Sequence, residues 1–584
     1  MQTLPRKAII AVFVATVFLI CKVSAQIFTT APSLPVIGSQ NTVTADPAVP
    51  RPSTTPCKVQ LFSNVMFADF SGKPFSYSPP ANCPGPWAKV VLEADFSIQA
   101  GRQFDRTANI WLAGANIYFG TTAEPSRNVA RNWHIESDLT DYSALFTLPQ
   151  LGQVILGNLV NSTFTSILFG SSDLQFYPLA KHAHDDGDAS LSAPADIVLP
   201  LSAGANGGTV GLTGAQQLAR TFSFPLNVER AVLDVYAQSQ ASDEFWYTCV
   251  PNTLSGELQS CPGTAFRETE ITIDGQPGGV APVYPWIYTG GIDPGLWRPI
   301  PGVQTLNFTP YRVDLTPFAA LLSDGQQHTV ALSVFSAQDH FSTTASLLLY
   351  LDHQASHITG QVVRNTLSAT PTATIQQNLT TAADGTVSGT VTTTSSRFYT
   401  VAGVANTSHG TVRTETVQKV TFSNAQQFVS NPNTGNLVQN ITQDTTISSL
   451  SQTSGRGPDR ADFKSFEWPL TADIDFLVNA DGTASQTTTI QQAYRKGELT
   501  TADEDPVSFS VLFDQVAPTS TLLFTSSGTA LTGQKSSQKF FSFDSSGRCY
   551  SRQIVATGGA LTSVNDGAGC GRDDESSQPS GSAD

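Results

Sequence analysis

Gly101-Arg-Gln-Phe-Asp-Arg-Thr-Ala-Asn-Ile-Trp-Leu-Ala-Gly114 alternates as a β-strand does. At a period of two, Asp105, Thr107 and Asn109 share one face, while Phe104, Arg106, Ala108, Ile110 and Leu112 share the other. One of the adjacent opposite charges, Asp105 or Arg106, therefore falls on an apolar face. An ion there costs several kcal/mol unless it is paired or hydrogen-bonded. A strand-end ion pair explains such a dipeptide by itself, so a functional carboxylate needs a second feature.

The same texture extends outward. Lys89 to Phe96, Ala108 to Ala113, Val154 to Leu159 and Phe164 to Phe169 are short alternating runs broken by Gly, Pro and Asn. No helical period persists, which is the pattern of a β-sandwich or jelly roll. Near Tyr177 the text changes. Lys181-His-Ala-His-Asp-Asp-Gly-Asp188 and the Gly-rich Ala203 to Gly214 read as an inter-domain connection. His182, His184 and the nearby aspartates could ligate a metal, but no helix or strand would hold them convergent, so a solvated loop is the better reading. No metal or other cofactor is expected. A second β block follows, with Ala231 to Ala237, Glu270 to Gly275, Thr329 to Phe335 and Ser346 to Leu351 as strands and Asp274-Gly275 as a hairpin turn. Beyond His353 the chain drifts to Thr, Ser and Gln, although Val387 to Thr394 and Thr487 to Tyr494 still alternate. The predicted fold is all-β. Jelly-roll or β-sandwich domains at 57–185 and 220–353 are joined by 186–219, then followed by a β-rich domain at 354–571 and a disordered tail at 572–584.

At 584 residues, 40% hydrophobic and 13% charged, the chain suits an exported multidomain protein. Its net charge is −16, and Lys and Arg cluster only at the extreme amino terminus. Nucleic-acid binding lacks its electrostatic footprint, and an anionic membrane surface is an equally poor partner. Met1 to Ala25 reads as a secretory signal: Arg6 and Lys7, the apolar run Ala8 to Cys21, then Val23-Ser-Ala25 before Gln26. An uncleaved signal anchor is the alternative, although the run is short for spanning. Residues 26–56, rich in Pro, Thr and Ser, read as a linker. A secreted monomer, free of the membrane once the signal is removed, is expected. Six cysteines remain, in three close couples that favour Cys57–Cys83, Cys249–Cys261 and Cys549–Cys570 disulfides. Glycosylation sequons at Asn161, Asn307, Asn378, Asn406 and Asn440 fit the same route.

There is no Gly-x-Ser-x-Gly elbow and no His-Glu-x-x-His helix. Cysteines in an oxidising compartment make poor free nucleophiles. Carboxylates with arginines and tryptophans remain. That set suits hydrolysis by general acid–base catalysis, in which attacking water or a leaving group needs proton transfer and developing negative charge needs a donor.

Asn82-Cys-Pro-Gly-Pro-Trp-Ala-Lys-Val-Val-Leu92, Gly101 to Arg106 and Thr122-Ala-Glu-Pro125 resemble the amino-terminal domain of the peptide:N-glycanase A family, amidases that release N-linked glycans. Asp243-Glu-Phe-Trp-Tyr247, Phe266-Arg-Glu268, Ile273-Asp-Gly275, Ile287-Tyr-Thr-Gly-Gly-Ile292 and Leu296-Trp-Arg-Pro-Ile300 continue the resemblance, in order, across about residues 57–353. Ala115 to Gly120 departs from it, standing where an acidic, Arg-containing strand is expected. The Asp-Arg pair also resembles that of the bacterial peptide:N-glycanase F, a two-jelly-roll amidase whose aspartate is the principal catalytic carboxylate.

What the resemblance implies is an N-glycopeptide or glycoprotein substrate, with Asp105 as catalytic carboxylate and Arg106 beside it. The second carboxylate falls on Glu268 or Glu244. Arg267, Arg298, Trp297, Trp246 and Glu124 are implied substrate-binding residues. Each has a plainer reading. Arg267 can be a paired buried arginine, the tryptophans ordinary core, and Glu124 a turn residue. The competing functional classes are a non-catalytic glycan-binding protein and a structural cell-surface protein.

Overall fold

The structure, a computed structural model, describes residues 35–179, 193–455 and 458–570. The expected signal, the His/Asp-rich run at 181–188 and the tail at 572–584 lie outside the described residues. Alternating apolar residues do fold as strands. In the first sandwich one sheet orders Cys57–Phe67, Leu168–Pro178, Trp87–Ile98 and Arg131–Asp138. The facing sheet orders Lys73–Tyr77, Gln150–Leu156, Thr107–Leu112 and Ala115–Thr121. Between them Phe96 stacks on Trp133 at 5.5 Å and on Tyr118 at 5.8 Å. The segment between Leu156 and Leu168 is a loop rather than the two expected strand ends. Asn158 pins it by donating to the carbonyls of Phe67 (3.0 Å) and Ser166 (3.2 Å).

The two-faced reading of residues 104–112 is corrected. The strand starts only at Thr107, and every residue from Ala108 to Leu112 is buried, as is all of Ala115–Thr121. The cause is a second layer outside this sheet. Tyr118 donates its hydroxyl to Leu306 O at 2.7 Å, Phe119 packs on Phe308 at 5.2 Å, and the Thr121 N–H reaches Thr305 O at 2.9 Å. Asp105 and Arg106 therefore precede the strand, at the seam between the sandwiches.

The second sandwich pairs Val210–Leu212, His340–Leu351, Val228–Gln240 and Tyr311–Asp314, with Ile197–Leu201 also on His340–Leu351. Its other sheet orders Leu218–Ser223, Gln327–Phe335, Glu268–Ile273 and Gln276–Pro282. The stretch expected to be a bare connection, 186–219, thus supplies edge strands, because Leu201, Leu212 and Leu218 are buried. Asp274 and Gly275 make the expected hairpin turn, with φ of 50° and 76°, the left-handed pair that a two-residue turn requires.

Within the described residues, thirteen strands between Thr359 and Asp566 form one large sheet. Its polar composition has a structural reason. Asn424, Gln426 and Gln439 donate to the carbonyls of Tyr247, Cys249 and Thr248, and Gln492 and Gln534 donate to those of Pro285 and Gly295. Loop carbonyls buried at this face need donors, and the amide side chains supply them.

Two further expectations are corrected. The described part of the supposed linker, 35–56, is docked. Ala45 is fully buried and donates to Gln538 Oε1 at 2.7 Å, the Val43 N–H reaches Pro299 O at 3.0 Å, and Arg51 bridges Glu93 (2.6 Å) and Glu136 (2.9 Å). Cys249–Cys261 and Cys549–Cys570 are bonded, but Cys57 and Cys83 are thiols. The Cys83 thiol turns toward Phe176 O at 3.8 Å, and burial, then contact with Cys57, pushes its pKa up to about 11. Of the sequons, Asn161, Asn378, Asn406 and Asn440 are exposed, whereas Asn307 uses its amide nitrogen on Glu136 O at 2.8 Å.

Candidate active site

A hairpin brings the first two carboxyls together. Thr107 pairs with Thr121 at its open end, and the ladder continues one step beyond the strands. The Arg106 N–H donates to Thr122 Oγ1 and the Thr122 N–H to Arg106 O, both at 2.8 Å. Asp105 and Glu124 are then thrown to the same end. At the other end Ala113 and Gly114 make the turn with φ of 51° and 82°.

The opposite wall is the loop after strand Gln276–Pro282. Thr289 donates its hydroxyl to Thr122 O at 2.6 Å, which sets Gly290 against the carboxyls. A Cβ on Gly290 would lie 2.7 Å from Asp105 Oδ1 and 3.1 Å from Glu124 Oε2. The Gly290 backbone hydrogen-bonds Asp105, so this glycine is needed for close approach. Further along the loop, Arg298 Nη2 holds Glu124 Oε1 at 3.0 Å. Trp297 donates its indole N–H to Gly291 O at 2.8 Å. Asp293 accepts from Gly295 N–H at 2.7 Å and from the Ser520 hydroxyl of the large sheet.

Electrostatically the site is a group of carboxyls whose pKa values burial raises. Burial pushes the Asp105 pKa up, against the Gly290 hydrogen bond and the Arg106 charge. Burial raises Glu124 to about 7, with Arg298 opposing and Asp105 and Asp293 adding to the rise. Glu244, in the turn after strand Val228–Gln240, is raised to about 7 by burial and then by Asp105. Glu124 Oε2 and the Nε atoms of Arg106 and Arg298 are buried without hydrogen-bond partners. Arg131, which feels the Arg298 charge, leaves Nε and Nη1 unpartnered and is lowered to about 10, mainly by burial. Donors and an acceptor with unused capacity thus surround a carboxyl pair.

The family model for peptide N-acetyl-β-D-glucosaminyl asparaginase amidase A matches residues 46–368. The chain belongs to that family. It is 28% identical over 540 residues, 89% of this chain and 91% of the other, to peptide-N4-(N-acetyl-β-glucosaminyl)asparagine amidase A of Prunus dulcis. Among solved structures it is similar to PNGF-II, at 12% identity and a TM-score of 0.36, over 52% of this chain and 66% of that one. It is also similar to PNGase F of Flavobacterium meningosepticum, at 13% identity and a TM-score of 0.34, over 51% and 96%.

Several residues singled out in the amidase A motifs do not join this site. Glu268 is buried against Arg397 of the large sheet. It pairs there because strand Glu268–Ile273 packs under that sheet, so Glu244, not Glu268, stands beside Asp105. Arg267 is a structural arginine. It is fully buried with Asp243 at 2.8 Å and donates to the carbonyls of Gly263, Thr264 and Phe266. Asp243 also accepts the N–H groups of Gln338 and Asp339, so the pair anchors the turn that carries Glu244. Trp246 is core, packed on Phe422 at 6.2 Å. Arg131 and Asp293 escaped the sequence reading. Gly290 lay within the quoted Ile287 to Ile292 motif, and its doubled glycine was the usable signal. Glu93, His134 and Glu136 lie within ligand reach of one another, but Arg51 already occupies both glutamates.

Proposed function

We propose that this chain is a peptide-N4-(N-acetyl-β-glucosaminyl)asparagine amidase, cleaving the side-chain amide that joins asparagine to the first sugar of an N-glycopeptide or glycoprotein. Membership of the amidase A family supports the reaction class. The observation that carries the residue roles is the Asp105–Glu124 pair around Gly290, with unpartnered donors of Arg106, Arg298 and Arg131 beside it. Asp105, ionised and oriented by the Gly290 N–H, takes a proton from water as that water attacks the amide carbon. The oxyanion so formed is a target for the guanidinium charges of Arg298 and Arg106. Glu124, raised to about 7, is protonated in mildly acidic solution and delivers its proton to the amide nitrogen as the carbon–nitrogen bond breaks. The products are an aspartate residue and a glycosylamine. Burial and then the Asp105 charge raise Glu244 to about 7, so in mildly acidic solution it stands as a neutral acid beside the Asp105 carboxylate.

Export of the chain is part of the same reading. The amino-terminal segment has the form of a secretory signal, and two cysteine couples are bonded. Among the described residues no helix is long and apolar enough to cross a membrane.

The test is incubation with a defined N-glycopeptide, read by mass as conversion of Asn to Asp with release of the intact glycan. Asp105→Asn should lower turnover by about a hundred- to ten-thousand-fold while glycopeptide affinity stays within a few-fold. Binding without any turnover in the unaltered chain would identify a glycan-binding protein instead. Unchanged turnover in folded Asp105→Asn would pass the role to Glu124 or Glu244.

A further inference from the structure

The docked segment around Ala45 crosses the seam beside the amidase centre. Both of its ends are fixed on the large sheet. Gly38 N–H donates to Leu561 O at 2.8 Å, and Leu561 N–H donates back to Ser39 O at 2.9 Å. Ala45 N–H reaches Gln538 Oε1 at 2.7 Å, Tyr550 donates its hydroxyl to Ala45 O at 2.9 Å, and the Gln538 amide donates to Asp46 Oδ1 at 3.0 Å. Between these anchors the segment touches both walls of the site. On the first sandwich, Asn132 N–H donates to Asn41 Oδ1 at 2.8 Å, and the Asn41 amide donates to Asn132 Oδ1. On the loop of the second sandwich, Val43 N–H donates to Pro299 O at 3.0 Å. Asn132 directly follows Arg131, and Pro299 directly follows Arg298. Asn41 and Val43 are two positions apart, so at most about 7 Å of extended backbone lies between the two contacts.

We propose that Asn41 and Val43 are positioning residues for the amidase centre, the segment 38–46 acting as a staple that holds the two walls in register and so fixes Arg298 against Arg131 and Glu124. The inference rests on the amidase reading of that site. A staple is needed there because the two arginines repel. The Arg298 charge adds to the burial that lowers Arg131 to about 10, and Arg131 leaves Nε and Nη1 without hydrogen-bond partners. Repulsion of this kind weakens with separation. Unrestrained walls would therefore relax apart and draw Arg298 from Glu124, which it holds at 3.0 Å. The Thr289 hydroxyl on Thr122 O ties the walls at the Gly290 end. The staple ties them where the arginines leave their backbones. Neither Asn41 nor Val43 needs to touch substrate, since each acts through the residue next to an arginine.

The test is turnover of a defined N-glycopeptide, as a function of pH, by the full chain carrying Asn41→Ala, Val43→Pro or both. Asn41→Ala removes both amide bonds at a half-buried residue, and Val43→Pro removes the donor to Pro299. Each single variant should lower kcat about ten- to a hundredfold, the scale of an ångström of misplacement. The double variant should fall little below the worse single one, because a staple cut at one end is already open. Arg298 opposes the rise of Glu124, to which Asp105 and Asp293 add, so loosening Arg298 should raise Glu124 further and move the alkaline limb of kcat to higher pH. Carbon-13 NMR of labelled glutamate carboxyls, with Glu124→Gln identifying the resonance, reads that shift without turnover. Absence of turnover in the unaltered chain would then sink the amidase reading, while the Glu124 titration still decides the staple. Glu268→Gln, which weakens the buried pair with Arg397, should move neither the alkaline limb nor the Glu124 titration. Should Val43→Pro fold poorly, Asn41→Ala decides alone. The proposal is overturned if Asn41→Ala keeps the kcat of the unaltered chain, if the single losses multiply in the double variant, or if the Glu124 titration stays unmoved in Asn41→Ala.

Discussion

Gly290 shows how narrow the tolerance is at single residues. Its backbone is not in the left-handed region, so alanine is conformationally allowed there. The added methyl would nevertheless meet Asp105 Oδ1 at 2.7 Å and Glu124 Oε2 at 3.1 Å. Gly290→Ala should therefore fold with a near-native melting midpoint and lose most of its turnover, measurable by thermal scanning beside the glycopeptide assay. The two glutamates separate the same way. Glu124→Gln removes the proposed proton donor and should cost turnover on the general acid–base scale, about a hundredfold or more. Glu268→Gln weakens a buried pair with Arg397 and should lower the melting midpoint while leaving kcat nearly intact. An equal kcat loss in both variants would remove the distinction. The role proposed for Asp105 was legible only through the resemblance to the amidase motifs, because adjacent opposite charges alone fit a strand-end ion pair. Glu268 misled because it adjoins a motif arginine, and nothing local indicates that its strand turns it toward a sheet more than a hundred residues later.

At the scale of elements, the hairpin Thr107–Leu112 with Ala115–Thr121 and the loop after Pro282 do the positioning. Hydrophobic alternation made the strands legible, and Asp274-Gly275 made its hairpin turn legible. The sequence could not reveal that the hairpin is covered on both sides, since that depends on Leu306 and Phe308 arriving from the other sandwich. The turn carrying Glu244 has two anchors, the Arg267–Asp243 pair and the Cys249–Cys261 bond, which closes a loop of sequence separation 12. Arg267→Met leaves Asp243 buried without its partner and should cost about 3–5 kcal/mol. Losing the disulfide should cost on the order of 3 kcal/mol in the chain-entropy picture. Denaturant unfolding of each variant measures the cost. A surface-like loss below about 0.5 kcal/mol for Arg267→Met would contradict the anchoring role.

For the whole molecule, several buried carboxyls set the response to pH. Glu124, Glu244 and Glu270 are each raised to about 7, with burial the first cause. Their folded pKa lies above the unfolded value, so the folded state keeps protons that the unfolded chain releases. That stabilisation is complete below the unfolded value and is lost as pH rises through about 7. Glu136 runs the other way. Its hydrogen bonds to His134 and Arg51 outweigh burial and hold it at about 2, so its contribution is lost only in strong acid. The melting midpoint should fall between about pH 5 and pH 8, and Glu124→Gln should flatten that slope. A midpoint rising over this interval would refute the assignment. Turnover should decline across the same alkaline limb as Glu124 loses its proton. The large sheet was legible as β from its alternation, but its purpose was not. Gln492, Gln534 and Ser520 brace the loop of Gly290 and Arg298 only because the chain folds back over itself.

The docked segment around Ala45 has a consequence for how the chain is made. Its hydrogen bond to Gln538 joins positions 493 residues apart, and Tyr550 and Leu561 hold the same stretch. A ribosome makes residue 45 long before residues 538–561. The segment can reach its final seat only after residues 538–561 have emerged, and contacts of such separation bear a large closure entropy. Meanwhile the strands of the first sandwich, all between Cys57 and Pro178, have their pairing partners. The segment around Ala45 is therefore among the last to come to rest, although it is made long before the strands that seat it.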